Sequence, residues 1–181
     1  MLADLPAAPV VADIGTGSGV IATTIAIKVP EATVYATDVS AEALEVAARN
    51  VERLGVGERV TFLEGEMLQP LSGRGLAGAV TAIVSNPPYI PTGELAGLQA
   101  EVRDFEPREA LDGGEDGLDC LRVLVQDGPE VLAPGGFLAL EVGDGQASTV
   151  AEMMRDGFGT IEVHKDYAGR DRIVTGSKRQ E

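Results

Sequence analysis

Three glycines at alternate positions, in Asp13-Ile-Gly-Thr-Gly-Ser-Gly19, follow directly on the apolar run Pro9-Val-Val-Ala-Asp-Ile14. Nothing else in the chain restricts its possible folds so strongly. Glycine at 15, 17 and 19 lets the backbone turn sharply and pass close to another group, where a Cβ would forbid it. A short apolar run ending in such a turn is the pattern of a buried parallel strand handing over to a helix. Val20 to Lys28 supplies that helix, Pro30 closes it, and Thr33 to Asp38 offers β-branched and aromatic residues for a second strand. The chain therefore opens on a β-α-β unit.

The alternation continues. Ser40 is placed to cap a helix in which Leu44, Ala47, Ala48, Val51 and Leu54 recur at helical spacing until Gly55 stops it. Val60 to Leu63 and Ala79 to Ser85 read as the third and fourth strands. Leu118 to Leu132 reads as a helix ended by Pro134-Gly135-Gly136, and Phe137 to Val142 as the fifth strand. A helix near Gln146 to Arg155 precedes two closing strands, Thr160 to His164 and Arg172 to Thr175. The expected architecture is α/β: a doubly wound, mostly parallel, seven-stranded sheet with an antiparallel edge strand. No repeat or low-complexity linker divides it, and 181 residues suit one domain.

Charge and composition narrow the partners. With 29 acids against 14 bases the formal charge is −15, so binding an extended phosphate backbone has to overcome a repulsive mean field. A lone cysteine, Cys120, forms no internal disulfide, and a lone histidine, His164, builds no histidine-rich metal site; both are expected simply to pack, and no metal is expected. No apolar run reaches the ~18 to 20 residues that span a bilayer, and Met1 to Pro9 lacks the basic start of a secretory signal, which points to the cytoplasm.

The glycine loop sits where an open parallel sheet binds ligands, beyond the carboxyl end of its first strand. A dinucleotide fingerprint would place glycine or alanine at position 20, but Val20 stands there and Gly19 comes one residue early. A tight turn alone explains one or two glycines, not three beside a terminal acid. The D-x-G-x-G-x-G loop instead resembles the nucleoside-binding loop of Rossmann-like class I methyltransferases, whose cofactor is S-adenosylmethionine. Asp38 ends the second strand 25 residues after Asp13, within reach of ribose hydroxyls; its competing reading is a turn or helix-capping residue. Glu66 and Met67 follow the third strand, where an adenine would lie, and read equally well as a solvated acid and a core thioether.

Asn86-Pro-Pro-Tyr89 ends the fourth strand, which neighbours the first in a sheet of this kind. An amide or aniline-like nitrogen is a weak nucleophile because its lone pair is delocalised, so its N–H bonds must be held by acceptors and its lone pair aimed. The Asn86 side-chain oxygen and the Pro87 carbonyl offer two acceptors. Pro87 and Pro88 stiffen the turn without adding donors, and Tyr89 presents a flat face.

With these motifs in place the chain resembles, over nearly its whole length, the bacterial glutamine N5-methyltransferases that modify the Gly-Gly-Gln motif of peptide-chain release factors. The likeness extends to Glu106-Pro-Arg-Glu-Ala-Leu-Asp-Gly-Gly-Glu-Asp-Gly-Leu118, Leu140-Glu-Val-Gly143 and Lys165-Asp-Tyr-Ala-Gly-Arg-Asp-Arg172. It implies catalysis by Asn86, Pro87, Pro88 and Tyr89. It assigns the cofactor to Gly15, Thr16, Gly17, Ser18, Gly19, Asp38, Met67 and Asn86, and Asp13 and Glu66 join the expected cofactor site from their places at the ends of the first and third strands. It implies release factors as protein substrates, little direct nucleic-acid binding, no membrane, and a monomer. Glu66 stands where the family has aspartate, and Tyr167 where leucine is commoner. Members of the family also carry an N-terminal helical domain that grips the release factor, whereas this sequence opens at the first strand, so residues 1–181 read as the methyltransferase domain alone. Residues 101 to 119 hold eight acids and two bases, a stretch that either steers a basic protein or is a solvated loop, and the Lys and Arg residues from Lys165 to Arg179 read as surface charge. Two other functions use the same residues: amino-methylation of adenine or guanine in nucleic acid, and a catalytically silent subunit that binds cofactor or partner.

Overall fold

A parallel strand covered on both sides must send successive side chains into two separate cores. The structure, a computed structural model, describes residue 5 and residues 7–179; the remainder of the 1–181 domain expectation lies outside the described residues. Among them seven strands form one sheet: β1 (Val10–Ile14), β2 (Thr33–Asp38), β3 (Val60–Glu64), β4 (Val80–Ser85), β5 (Leu132–Glu141), β6 (Phe158–Lys165) and β7 (Asp171–Lys178), ordered β3-β2-β1-β4-β5-β7-β6. The helices are α1 (Val20–Lys28), α2 (Ala41–Arg53), α3 (Gln69–Ser72), α4 (Ala100–Arg103), α5 (Asp119–Val131) and α6 (Ala147–Met153). None of them is long and apolar enough to cross a membrane.

The alternation is visible strand by strand. Val11, Ala82, Val84 and Ala139 join α1 and α2 in one core, while Ala12, Ile14, Ile83, Leu138 and Leu140 join α5 and α6 in the other. Helix α1 and strand β2 occupy the residues expected of them. Helix α2 is capped by Ser40, whose hydroxyl accepts from the Ala43 amide at 3.1 Å. Its inward stripe is narrower than the spacing implies: Ala47 and Val51 are buried, but Ala48 and Leu54 face water.

The largest boundary difference from the sequence reading is in β5, and the expected antiparallel edge is present. Strand β5 starts at Leu132 instead of Phe137 and takes Pro134-Gly135-Gly136 into itself as an irregularity, where the pairing with β4 shifts between Val80 and Ala82. The antiparallel element is an edge pair: β7 runs against both β5 and β6, and the outermost place belongs to β6. The cause is the short connection between Lys165 and Asp171, which can join only antiparallel neighbours. His164 lies on that outer strand, exposed, with its ring 3.1 Å from the Thr175 hydroxyl instead of packed in a core; Cys120 is half-buried.

Gly19 joins the glycine loop to the helical layer. Its φ is +79°, and a Cβ there would lie 2.9 Å from the Ala47 Cβ of α2. At Gly55, with φ +70°, a Cβ would meet nothing within 4 Å. The left-handed backbone alone costs about 1–2 kcal/mol for an alanine, and a forced contact adds to it. We therefore expect Gly19→Ala to destabilise the protein by more than Gly55→Ala does, by about 1 kcal/mol or more in chemical denaturation.

Candidate active site

The register of the central strands decides which loops meet. Ile14 of β1 pairs with Thr37 of β2 on one side and Ser85 of β4 on the other, so the chain leaves these strands at Gly15, Asp38 and Asn86 side by side. Two cross-strand bonds lock the arrangement. The Ser85 hydroxyl donates to the Ile14 carbonyl at 2.7 Å, and the Thr16 amide donates to the Thr37 carbonyl at 2.9 Å. Gly17 and Asn86 thus leave the sheet at the same edge, on neighbouring strands.

Within the glycine loop Asp13 and Thr16 are buried, and the glycines leave room beside the backbone. Gly15 and Gly17 have φ of +68° and +54°, and open space lies where a Cβ would stand. Asp13 is fully buried; its Oδ2 accepts from the Thr16 hydroxyl at 2.7 Å and from the Ala22 amide at 2.9 Å, while Oδ1 has no partner among the described residues. Burial pushes its carboxyl up to about 6, against the pull of those two hydrogen bonds. The hydroxyl and amide of Thr16 are both engaged within the protein. Ser18 is exposed, and its carbonyl accepts from Asn50 Nδ2 of α2 at 2.9 Å.

Asp38 faces the loop from the neighbouring strand. Its Oδ2 accepts from the Gly17 amide at 2.9 Å and its Oδ1 from the Ser40 amide at 3.0 Å, which leaves lone-pair positions on both oxygens. It therefore makes the turn contacts of its competing reading while its half-buried carboxylate still borders the glycine loop. Beyond β3, the Gly65 amide donates to the Asp38 carbonyl at 3.0 Å and Thr37 Oγ1 donates to the Met67 carbonyl at 3.3 Å, which draws the Glu66–Met67 turn against the end of β2. Met67 is half-buried against the core at φ +46°, a conformation that an unbranched L-residue holds only when its surroundings impose it. Glu66 is exposed.

In the tetrad Asn86 is exposed, and its side chain has no hydrogen-bond partner among the described residues, whereas Pro87 is buried and Pro88 and Tyr89 are half-buried. Asn86 and Glu141 also border an apolar cleft of about 230 Å³ lined by Val11, Ile21, Ile25, Val84, Phe137 and Ile173. The Tyr89 hydroxyl donates to Glu141 Oε1 at 3.3 Å. Burial, and next the negative charge of Glu141, raise the Tyr89 phenol above its ordinary pKa, with Arg172 acting in the opposite direction.

Sequence reasoning missed the residue that holds this turn in place. Gln146 Nε2 donates to the carbonyls of Tyr89 at 2.9 Å and Gly117 at 3.2 Å, and its Oε1 accepts from the Gly143 amide at 2.8 Å. One amide side chain thus ties together three loops. The signal was present in the glycines: a Cβ at Gly117 would lie 2.3 Å from the Tyr89 carbonyl, and one at Gly113 would lie 2.8 Å from the Tyr89 Cα. Behind the tetrad, Ile90 pairs with Asp112, and Asp112 accepts from the Thr92 hydroxyl at 2.6 Å and binds Arg108 at 3.1 Å. Asp116 binds Arg122. These acids of the 101–119 stretch serve as internal fasteners. The basic tail is similarly engaged, with Lys178 donating to the Leu132 carbonyl at 2.7 Å and Arg179 to the Phe158 carbonyl at 3.2 Å.

The sequence profile of the family described as methyltransferase small domain matches residues 1–100, a span that contains the glycine loop, Asp38, Glu66, Met67 and the whole tetrad. The chain belongs to that family. As a methyltransferase small domain it is 50% identical over 173 residues to a release factor glutamine methyltransferase of Moorella thermoacetica, a match covering 94% of this chain and 59% of that protein. A release factor glutamine methyltransferase of Gloeobacter violaceus is 49% identical over 166 residues, covering 91% of this chain and 57% of that protein. The chain thus spans under two thirds of the length of these curated relatives. Its fold is shared with a solved methyltransferase of Pyrococcus furiosus at a TM-score of 0.68 and 23% identity, covering 94% of this chain and 75% of that one.

The buried Asp13 generates a test. Its carboxyl titrates at about 6 in the fold against 3.8 unfolded, so the stability it contributes is present below pH 3.8 and is lost as pH rises through about 6. The span corresponds to about 3 kcal/mol. We expect the stability of Asp13→Asn, measured by urea denaturation, to improve relative to the parent protein by roughly this order between pH 4 and pH 7.

Proposed function

We propose that this methyltransferase small domain transfers a methyl group from S-adenosylmethionine to the side-chain amide nitrogen of the glutamine in the Gly-Gly-Gln motif of peptide-chain release factors. The pairing of Ile14 with Ser85, which brings the glycine loop and the tetrad out at the same edge of the sheet, is the observation that supports the reading. The two relatives at 50% and 49% identity support the choice of substrate.

The loop suits the cofactor. Open space at the Gly15 and Gly17 α-carbons admits a nucleoside close to the backbone, and the free lone pairs of Asp38 can accept from ribose hydroxyls. Asp13, Thr16, Ser18 and Gly19 hold the loop in that shape, and Glu66 and Met67 border the adenine. Bound there, S-adenosylmethionine supplies a methyl carbon activated by its sulfonium.

The remaining work belongs to the tetrad. The Asn86 side-chain oxygen and the Pro87 carbonyl accept the two N–H bonds of the substrate amide, which fixes the plane of the nitrogen and turns its lone pair toward the methyl. Tyr89 lies against the flat amide, its ring anchored at one end by Glu141 and its carbonyl by Gln146. No charged base need act first: the methyl–sulfur bond would break as the nitrogen–methyl bond forms, the sulfonium leaving as a neutral thioether and the amide proton passing to water at the exposed Asn86. Residues 1–181 act as the methyltransferase domain, as a monomer in the cytoplasm. Cations of the tail that are already spent on backbone carbonyls, together with a net charge of −15, favour a protein substrate over nucleic acid.

Incubation with labelled S-adenosylmethionine and, in separate tubes, release factor, oligonucleotide or no substrate tests this. Label is expected on the release factor and not on one whose motif glutamine is replaced by alanine; label on the oligonucleotide alone overturns the substrate, and none anywhere supports a silent subunit. By calorimetry, Asp38→Ala is expected to weaken cofactor affinity ten- to a hundredfold, the loss of a charge-assisted contact of about 1.5–3 kcal/mol. Unchanged affinity removes Asp38 from the cofactor site.

A further inference from the structure

The chain has four phenylalanines, three tyrosines and no tryptophan. Phe62, Phe137, Phe158, Tyr35 and Tyr89 all pack into the two cores. The remaining two, Phe105 and Tyr167, are among the described residues the large apolar side chains most open to water, at 84% and 113% relative exposure. Single exposed apolar residues are common on any surface, but both of these lie at the carboxyl edge of the sheet, where the candidate active site opens.

Tyr167 is held outward by a stiff support. It caps the turn between β6 and β7, in which Asp166 Oδ1 accepts from the Ala168 amide at 2.8 Å and the Arg170 amide at 3.0 Å. Asp166 Oδ2 lies 3.1 Å from Arg170 and 3.8 Å from Arg172, and Lys165 binds Asp171 at 2.6 Å. Arg172 in turn donates to the Val142 carbonyl at 2.8 Å, and its charge acts on the Tyr89 phenol, so the turn is rooted at the tetrad. Phe105 lies in the excursion that leaves β4 after the tetrad, in sequence between Arg103 and Arg108, which border a cleft of about 320 Å³ with Leu95, Leu98 and Leu111. That excursion returns to the tetrad through Ile90 and Asp112.

We infer that Phe105 and Tyr167 form an aromatic rim that grips the protein segment on which the reactive glutamine is carried, a proposal that rests on the protein-amide reading above. A glycine-flanked glutamine exposes flat peptide planes and offers few side chains to hold, and an aromatic ring can lie against such a plane whatever the neighbouring residues. The rings contribute to docking and not to the methyl transfer, since neither belongs to the tetrad or the glycine loop. Both rings stand free in water, so a partner can cover them without displacing a contact within the protein.

The test compares the parent chain with Phe105→Ala, Tyr167→Ala, the double variant and Tyr167→Phe, using full-length release factor as substrate. The KM for release factor is expected to rise three- to tenfold in each alanine variant and about thirtyfold or more in the double variant. Cofactor affinity, kcat and thermal midpoint should stay within twofold or 2 °C of the parent, and Tyr167→Phe should restore the parent KM. An unaltered KM in the double variant, or a fall in kcat in place of the rise, overturns the aromatic rim while leaving the function intact. A parent chain that labels no release factor overturns the function and this inference together.

Discussion

The candidate site depends on one lateral constraint, the pairing of β1 with β4 that sets Ile14 beside Ser85. A slip of one residue would send Ile14 and Ser85 to opposite faces, and the glycine loop and the tetrad would no longer leave the sheet together. Several interactions oppose the slip: the Ser85 hydroxyl reaches across to Ile14, Thr81 Oγ1 donates to the Val10 carbonyl at 2.7 Å, and both strands feed the same two cores with alternating residues. The register is therefore fixed by packing and by polar bonds at both ends of the strand.

From that fixed edge the site is built of two kinds of loop. The glycine loop buries Asp13 and Thr16 and leaves open space beside the Gly15 and Gly17 α-carbons, with a carboxyl at its root whose second oxygen has no partner among the described residues. The tetrad does the reverse. It buries Pro87, leaves the Asn86 side chain outward, and depends on distant residues to hold Tyr89. Gln146, Glu141 and the paired Ile90–Asp112 segment come from separate parts of the chain, so the long stretch from Glu106 to Leu118 serves mainly to brace a four-residue turn. Asp112 and Asp116 in it bind local arginines and amides.

Most of the fold was legible because it is written in local pattern. Apolar runs followed by glycine, and a serine cap followed by a helical stripe, located β1, α1, β2 and α2 closely, and the tetrad and glycine loop could be read as neighbours from the usual order of an open parallel sheet. What escaped was non-local. The extension of β5 through Pro134-Gly135-Gly136 depends on its neighbour β4, which the sequence of those residues does not mention. Gln146 read only as the start of a helix, since an amide that bridges three loops has no periodic signature. Thr16, expected at the cofactor, spends its hydroxyl and its amide within the protein.

The shared edge can be examined most directly by a crystal structure with S-adenosylhomocysteine bound. The account expects the nucleoside over Gly15 to Gly19, its ribose hydroxyls within hydrogen-bond distance of Asp38, and its sulfur turned toward Asn86. A ligand seated elsewhere, or one whose sulfur points away from the tetrad, would contradict it.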